Sequence, residues 1–527
     1  MLGWLVACNG EPMELGAEVE IPNATAPLVR RLRAHTEVPS RISARWSDGD
    51  HEVAVAFDAL EQDHEHLLLG WRPGRAYDLT VTATDEDGRA ESVKLEVATA
   101  TLAPHMPRAE VIGGTGARAP GHTLIPMDST GQPAPNGIAA IFDEQGEMAY
   151  YLDLGDFVLD VIEHEGGLYA LVGSADGELI HYAWDGTELE SWSLNDARDP
   201  TTVVDALDAL HLHHDVQPFP DDAEKFAALA RFPLTVPDYP QSYVDPGDTA
   251  QTEVAIDVVV EFAADGTVLS ETRLDELIPI HRIGYGSTGP EGQTADGLAD
   301  WAHANAVVHD GDEYIVSLRH QDAILKIDPR AEGDARLKWI LGYPDNWPAD
   351  LKQKLLTPLG DLRWTYHQHG PRLTTDGPGG ERRLMVFDNG NCQAAPYTDE
   401  PCELSITKLR SRVVQFSIDE SAGTVRQDWA FDQPSGGTLY SSAVGEAEPL
   451  PNGNVLSVWG FLVAMPDGTP NADAGVGDTS VRIIELAPEG AHEVEQLYVT
   501  SDRAVNDKGW TGSRAERVPS LYGRVVD

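Results

Sequence analysis

The amino-acid sequence predicts an all-β protein in which a small N-terminal β-sandwich precedes a six-bladed β-propeller. Three features of the 527 residues support this prediction. A hairpin pattern recurs six times after residue 130: an apolar strand, an acidic or glycine-containing turn, and a second strand that often carries an aromatic residue. Short alternating strands fill the region before it, and helical periodicity is scarce throughout.

The predicted β-sandwich covers residues 15–102. Apolar and polar residues alternate in strands separated by Asp-Gly turns, most clearly at 52–57, 66–71, 77–84 and 92–97. The proline-containing run 103–107 is typical of a linker, so the propeller is predicted over 108–527.

Six hairpins define the predicted blades. They pair 137–142 with 148–152, 179–184 with 189–192, 254–262 with 267–269, 323–327 with 337–341, 412–416 with 425–429, and 481–486 with 494–498. Their spacing averages about 70 residues, which is enough for four strands and long loops in each blade. The region Asp345 to Leu356 is the best candidate for a helix, as an insertion between blades.

Residues 1–14 look like the remnant of an export or lipoprotein signal. Leu5-Val6-Ala7-Cys8 resembles a lipoprotein cleavage box, although the usual basic start and full apolar run are missing, so a chance apolar start is the alternative. The sequence has no apolar stretch of the roughly 18 residues that a membrane span needs. We therefore expect an exported protein, periplasmic or at the cell surface, with Cys8 as a candidate lipid anchor.

Charge and cysteine content fit the same picture. With 87 acidic against 37 basic residues, the net charge of -50 argues against nucleic acid and anionic lipid as partners. An anionic substrate would therefore need a locally positive pocket. Cys392 and Cys402 flank a short loop rich in turn residues, as a local disulfide requires, and we predict a bridge between them. The sequence leaves the oligomeric state open, with a homodimer through the sandwich as a candidate.

Three segments bring histidine to equivalent points of the repeat. They are His213-His214-Asp215, Trp301 to Asn305 with His303 at its centre, and Tyr366-His367-Gln368-His369. In a propeller blade the start of the first strand and the end of the second lie at the same rim. His303 precedes one such hairpin and Arg319 follows it, and the same logic applies to His214 with Arg231 and to His369 with Asn389. Because imidazole exchanges protons near neutral pH, this convergence predicts one shared site.

Several short runs, taken as a set, resemble the bacterial arylsulfate sulfotransferases, the PAPS-independent enzymes with a six-bladed propeller and an N-terminal β-sandwich. The runs are Asp300 to Asn305, Ser317 to Gln321, Trp339 to Gly342, Gln368-His369, Phe387 to Gly390 and Ser411-Arg412. The resemblance implies that His369 is the nucleophile that becomes sulfated, that His214, His303 and Arg319 bind the sulfuryl group, and that Asn305 lines the site.

The resemblance leaves some assignments open. His213 is an alternative to His214 as the first histidine, and Asn389 is either a substrate contact or a turn residue. A disulfide after the Asp388-Asn389-Gly390 run is similar to some family members. Gly370 and Pro371 stand where larger or hydroxylated residues are often found, so the acceptor pocket is expected to differ.

The chemistry suits these residue types. A neutral imidazole can approach the oxygens of a sulfate ester without adding charge repulsion, and Arg319 can stabilise charge on those oxygens. We predict a ping-pong cycle without cofactor or metal, in which a phenolic sulfate donates the group to histidine and a phenol accepts it. A second imidazole could take the proton of the phenol.

Other readings compete with sulfuryl transfer. His211, His213 and Asp215 form an H-x-H-x-D pattern seen in metal-dependent hydrolases, but Val216 stands where a further histidine is expected. A secreted propeller that only binds a ligand is the non-enzymatic alternative. Arg412 is expected to pair with a carboxylate of a neighbouring blade, and His309, His320 and His367 are expected behind the site or at the surface.

Overall fold

The computed structural model describes residues 14–131, 137–164, 166–173, 176–205, 209–243, 245, 247–288, 292–294, 296–391, 409–434, 437, 439–465, 468–471, 477–502, 505–506 and 508–522. Cys8, Cys392 and Cys402 lie outside these residues. Within them the protein is all-β, as predicted, and its helical structure consists of short 3-10 turns, which include Leu274–Glu276, Gly333–Ala335, Leu351–Gln353, Pro378–Gly380 and Pro488–Gly490. No helix in the described residues is long and apolar enough to cross a membrane.

The N-terminal region forms one hydrogen-bonded sheet of five strands. These are β1 (Leu15–Glu20), β2 (Arg30–Ser47), β3 (Glu52–Leu68), β4 (Ala76–Asp85) and β5 (Ala90–Ala98). The first half of β2 pairs with β1 and the end of β3, and its second half pairs with the start of β3 and with β4. A core that includes Trp46 and Trp71, whose rings stack 4.9 Å apart, packs against this sheet.

The structure of this region differs from the predicted strands in one detail. The predicted strands 52–57 and 66–71 are two ends of one strand, β3, and Trp71 lies beyond its end. Pairing with β2 continues through register shifts between His35 and Ile42, and it holds the intervening polar residues of β3 in the ladder. Alternation of side chains alone does not reveal such pairing.

Six further sheets follow in chain order. Sheet I contains β7 (His122–Ser129), β8 (Gly137–Phe142) and β9 (Met148–Asp153); sheet II contains β10 (Val158–His164), β11 (Gly167–Val172), β12 (Glu178–Ala183), β13 (Glu188–Ser193) and β14 (Thr202–Val203); sheet III contains β15 (His211–Phe219), β16 (Asp222–Pro240), β17 (Thr249–Ala263), β18 (Val268–Arg273) and β19 (Ala299–Asp300). Sheet IV contains β20 (Ala304–Asp310), β21 (Glu313–Leu318), β22 (Ala323–Ile327) and β23 (Leu337–Gly342); sheet V contains β24 (Thr357–Pro358), β25 (His369–Leu373), β26 (Arg382–Asp388), β27 (Arg412–Asp419) and β28 (Thr424–Phe431); sheet VI contains β29 (Glu446–Pro449), β30 (Val455–Ala464), β31 (Pro470–Asn471), β32 (Asp478–Leu486) and β33 (Glu493–Thr500).

All six predicted hairpins are confirmed. They are the antiparallel pairs β8 with β9, β12 with β13, β17 with β18, β22 with β23, β27 with β28, and β32 with β33. The predicted helix over Asp345–Leu356 is wrong, since only Leu351–Gln353 forms a 3-10 turn there. Leu356 donates its backbone N–H to the carbonyl of Ile340 (2.9 Å), so the edge of β23 takes the backbone groups that a helix would have used.

The sheets contact one another in chain order along their inner strands. β10 contacts β7 and β15, β15 contacts β20, β20 contacts β25, β25 contacts β29, and β30 contacts β34 (Trp510–Gly512). Strands from opposite ends of the chain complete the two terminal sheets. β6 (Arg108–Gly113) pairs with β33, while β34 and β35 (Glu516–Val518) pair with β7. This exchange ties the start of the repeat region to its end.

Buried ion pairs hold neighbouring strands together. Nε of Arg412 donates to Oδ2 of Asp388 (2.7 Å), and Oδ1 of Asp388 accepts from the backbone N–H of Tyr366 (2.9 Å). Arg412 does bind a carboxylate, but Asp388 belongs to the adjacent strand of the same sheet rather than to a neighbouring blade. Both side chains are almost fully buried, and Asp388 has a second, more distant guanidinium partner in Arg363 (3.8 Å), so Arg412 supplies most of the charge that stabilises this carboxylate.

We expect Arg412→Met to lower the free energy of unfolding by about 3–5 kcal/mol, because it removes the guanidinium 2.7 Å from the buried Asp388 carboxylate and leaves only the more distant Arg363, at 3.8 Å, to balance that charge. Urea unfolding measures the loss. Arg426→Met is the control, since Arg426 forms an exposed ion pair with Asp428 and is expected to contribute less than about 1 kcal/mol. Equal losses in the two variants would contradict the prediction.

Candidate active site

A cavity of about 380 Å³ lies where the six sheets meet. Every sheet or an adjoining loop contributes to its wall, which includes Asp128, Val158, His214, Asn305, His369, Phe461 and Gly512. His303, Arg319 and Arg514 complete its polar part. The structure therefore brings His214, His303, Asn305, Arg319 and His369 together around one space.

Backbone geometry places the histidines. His214, His303 and His367 have φ values of 55°, 50° and 56°, in the left-handed region that residues other than glycine rarely adopt. Each bend lies at or just before an innermost strand. It brings the rings of His214 and His303 to a centroid distance of 4.6 Å. Three histidines near the starts of inner strands thus share a conformation that is rarely adopted. This indicates that the backbone is held in place there to direct their side chains.

The structure separates His214 from His213. His214 lines the cavity, whereas Nε2 of the buried His213 lies 3.2 Å from Oδ1 of Asp257. The Nδ1 atoms of the two histidines are 2.9 Å apart. His213 thus lies outside the cavity wall and holds the ring of His214 through this contact.

His369 presents one unprotonated nitrogen. Its Nδ1 lies 2.7 Å from Oδ1 of Asn389 and 3.0 Å from the carbonyl oxygen of His367. Both partners accept hydrogen bonds, so Nδ1 carries the proton and Nε2 carries the lone pair. Burial, and then the charge of Arg319, lowers the pKa of His369 to about 3, which keeps the ring neutral at physiological pH.

Asn389 lies behind His369 and is not part of the cavity wall. Its Nδ2 donates to the carbonyl oxygens of Ser441 (3.0 Å) and Val444 (2.8 Å), which fixes Oδ1 toward the imidazole. Asn305 does line the cavity. Its Nδ2 donates to the carbonyl of Gln368 (2.8 Å), and its buried Oδ1 has no hydrogen-bond partner among the residues that the structure describes.

Arg319 supplies positive charge to the cavity. Its Nη1 donates to Nε2 of His320 (2.6 Å), its Nε is buried without a hydrogen-bond partner, and no carboxylate among the described residues forms an ion pair with it. A guanidinium group stays protonated even though burial lowers the pKa of Arg319. Arg514 differs, because Asp215 (2.7 Å) and Asp160 (3.0 Å) neutralise it. Arg319 is thus the charge available to an anion.

His303 is held by a carboxylate. Its Nδ1 lies 2.5 Å from Oδ2 of Asp300. Asp300 is buried, and its backbone carbonyl accepts from Nδ1 of His320 (2.7 Å). Burial, and then the charge of Arg319, lowers the pKa of His303 well below its usual value, so the ring is neutral in the unliganded site.

The backbone around Gly370 explains why glycine stands where larger or hydroxylated residues are often found. Its φ is +48°, and a Cβ there would lie 2.9 Å from Cα of Glu446 and 2.9 Å from the carbonyl oxygen of Gly445. The close approach of this loop leaves no room for a larger residue directly after His369.

Two site residues were missed from the sequence. Asp300 lies within the run Asp300 to Asn305, where its spacing from His303 was the available signal. Arg514 gave no signal, because it reaches the cavity from a segment about 200 residues further along the chain and donates to the carbonyl of Asn305 (3.2 Å).

The contacts of the H-x-H-x-D residues argue against the metal-dependent hydrolase alternative. His211 accepts from Nε of Arg231 (2.7 Å) and Asp215 accepts from Arg514, so the H-x-H-x-D residues face different partners. In the described residues, Asp300, His303 and His320 offer ligand atoms within 4.8 Å of one another. However, Nε2 of His320 already accepts from Arg319, and that guanidinium would repel a cation.

The arylsulfotransferase (ASST) family matches residues 131–510. Arylsulfate sulfotransferase AssT of Escherichia coli O6:H1 is 30% identical over 187 residues, 32% of this chain and 29% of that protein. AssT of Lelliottia amnigena is 33% identical over 161 residues, 27% of this chain and 24% of that protein. The matched segments thus span less than a third of either relative.

A crystal structure of a Bacteroides caccae protein of unknown function aligns over 75% of this chain and 100% of its own, with a TM-score of 0.38 and 14% identity. A similarity this weak has no bearing on the fold. The family match, by contrast, covers more than half of the sequence and includes His214, His303, Arg319 and His369. The chain therefore belongs to the arylsulfotransferase family.

Proposed function

We propose that the protein transfers a sulfuryl group from a phenolic sulfate ester to a phenol, without PAPS, through a sulfohistidine at His369. The observation that carries this proposal is the state of His369 in the cavity. Its Nδ1 donates to Asn389 and to the carbonyl of His367, which leaves Nε2 as a neutral nucleophilic nitrogen.

Each half of the reaction balances in atoms and charge. In the first half, the Nε2 lone pair forms a bond to sulfur while the bond between sulfur and the aryl oxygen breaks, and the phenolate leaves. In the second half, the oxygen of an acceptor phenol attacks the same sulfur, the bond to Nε2 breaks, and the phenol passes its proton to a second, neutral imidazole of the cavity. A ping-pong cycle follows, because donor and acceptor react with the same nitrogen in turn.

Arg319 and His214 would bind the sulfuryl oxygens. The buried Nε of Arg319 has no partner in the described structure, and a sulfate ester would supply one. The overall charge of -50 repels anions at long range, so binding must depend on this local guanidinium.

We also propose the arrangement of the whole chain. The six sheets would be the blades of a six-bladed propeller over 108–527, since their inner strands contact one another in a closed order. Residues 15–102 would form a β-sandwich. Export to the periplasm or cell surface, the lipid anchor at Cys8, the Cys392–Cys402 disulfide and a homodimer remain predictions from the sequence.

The test is incubation of the purified protein with 4-nitrophenyl sulfate in the presence and absence of phenol. We expect 4-nitrophenol release that depends on phenol, together with formation of phenyl sulfate. Release independent of phenol would indicate a hydrolase instead. No release from this or other aryl sulfates would favour the ligand-binding alternative.

A further inference from the structure

Three imidazoles line the cavity, and each has a different group bound to its Nδ1. His369 faces the amide oxygen of Asn389 and a peptide carbonyl, and His214 faces the ring of His213. His303 faces the carboxylate of Asp300 at 2.5 Å. Among the described residues, His303 is thus the one cavity imidazole with a carboxylate directly on its ring.

This difference matters chemically because the three backing groups respond differently to a proton on Nε2. A neutral amide fixes the orientation of an imidazole without stabilising its charged form. A carboxylate fixes the orientation and also stabilises the imidazolium that forms when Nε2 takes a proton. A nucleophile benefits from the first arrangement and a general base from the second.

We propose that Asp300 is a positioning residue that makes His303 the proton acceptor for the phenol, an assignment that rests on the proposed function. Asp300 accepts from Nδ1 of His303, so Nε2 of His303 carries the lone pair. As the phenol oxygen attacks the sulfur on His369, its proton passes to Nε2 of His303. The imidazolium is paired with Asp300 until it returns the proton to the phenolate leaving from the next donor, which balances the cycle.

The surroundings of the pair support this division of roles. Asp300 is buried, and its backbone carbonyl binds His320, so the carboxylate is held in place. Arg319 donates to Nε2 of His320, the ring nitrogen that does not bind Asp300, and its charge favours anions in the cavity. Besides burial, the charges of Arg319, His369, His213 and Arg231 oppose an imidazolium at His303. The rings of His214 and His320 also lie close to it, at centroid distances of 4.6 Å and 4.7 Å. Asp300 supplies the opposing negative charge.

The experiment measures the two half-reactions separately in Asp300→Asn. An asparagine can still accept from Nδ1 of His303, as Asn389 does for His369, so the variant removes the charge and keeps the orientation. 4-Nitrophenyl sulfate first loads the enzyme, and the burst of 4-nitrophenolate reports that step. The isolated sulfo-enzyme is then mixed with phenols of graded acidity, and loss of sulfohistidine is followed by mass spectrometry.

We expect the variant to retain the burst within about tenfold and to lose about 10²-fold in desulfation by phenol. Acceptors that are already ionised should lose much less, because they have no proton to remove. A merely structural role would slow all acceptors by the same factor, and that result would overturn the proposal, as would desulfation by phenol at the wild-type rate.

Two further variants make the result specific. Asp322→Asn is the matched control, because Asp322 is a buried carboxylate that contacts Nδ1 of His367 (3.1 Å) away from the cavity wall. It should not change the dependence on acceptor acidity. His303→Gln, like Asp300→Asn, should slow desulfation by protonated phenols more than desulfation by ionised ones. It carries the test if Asp300→Asn does not fold. A wild-type enzyme without a burst or without sulfated His369 would overturn the proposed function and this inference together, whereas a normal burst with an unaffected variant would overturn this inference alone.

Discussion

Replacing His369 with asparagine is expected to reduce sulfuryl transfer from 4-nitrophenyl sulfate to phenol by about 10⁴-fold or more. The asparagine amide can still donate toward Oδ1 of Asn389, but it has no counterpart to Nε2. The proposed sulfohistidine cannot form in this variant. Sulfuryl transfer would then have to go directly from the donor oxygen to the weakly nucleophilic phenol oxygen, over a much higher barrier.

Intact mass and peptide mapping provide a second measurement. Wild-type protein incubated with donor alone should gain one SO₃ group on His369, and the variant should gain none. His309→Asn is a suitable control, because His309 packs against Phe219 and Tyr314 outside the cavity and should leave transfer nearly unchanged. Near-native transfer by His369→Asn would assign the nucleophile to another residue.

The sequence was sufficient to predict the repeated hairpins and the convergence of the histidines on one site. Hairpins depend on local turn chemistry and on alternating apolar residues, so all six could be located without tertiary information. The rule that strand starts and ends share a rim then predicted that His303 and Arg319 would face the same space. Both contribute to the cavity wall in the structure.

The choice between His213 and His214 depended on a feature that alternation cannot reveal. A register shift between His213 and Val216, together with the left-handed φ of His214, interrupts the regular alternation of β15. The strand pattern alone therefore gave no basis for deciding which imidazole turns inward.

Other features depend on contacts distant in sequence. Arg514 reaches the cavity only because β34 and β35 return to pair with β7, and nothing near Arg514 in the sequence signals this. The false helix at Asp345–Leu356 has the same origin. Its leucines have helical spacing, but the free edge of β23 captures the backbone of Leu356.

Arg319→Met is expected to lower kcat/KM for the donor by about 10²- to 10³-fold, comparable to removing one strong donor to a developing anion. Methionine fills a similar volume but leaves the sulfuryl oxygens without positive charge, and Arg514 cannot substitute because Asp160 and Asp215 neutralise it. Arg319→Lys restores the charge but not the planar fork, so an intermediate loss is expected.

Arg231→Met is the matched control for this prediction. Arg231 was predicted to follow the equivalent hairpin of sheet III, but it lies within β16, opposite His211 of β15. It is also buried, its Nε donates to His211, and its side chain is not part of the cavity wall. Its replacement should change kcat/KM by less than about tenfold, although stability will fall because His211 loses its partner. The loss in Arg319→Met should appear in the burst of 4-nitrophenolate, since the proposed role of the guanidinium is to bind the group being transferred. If both methionine variants lose activity equally, the effect comes from removing any buried arginine, and the sulfate ester is held by other groups.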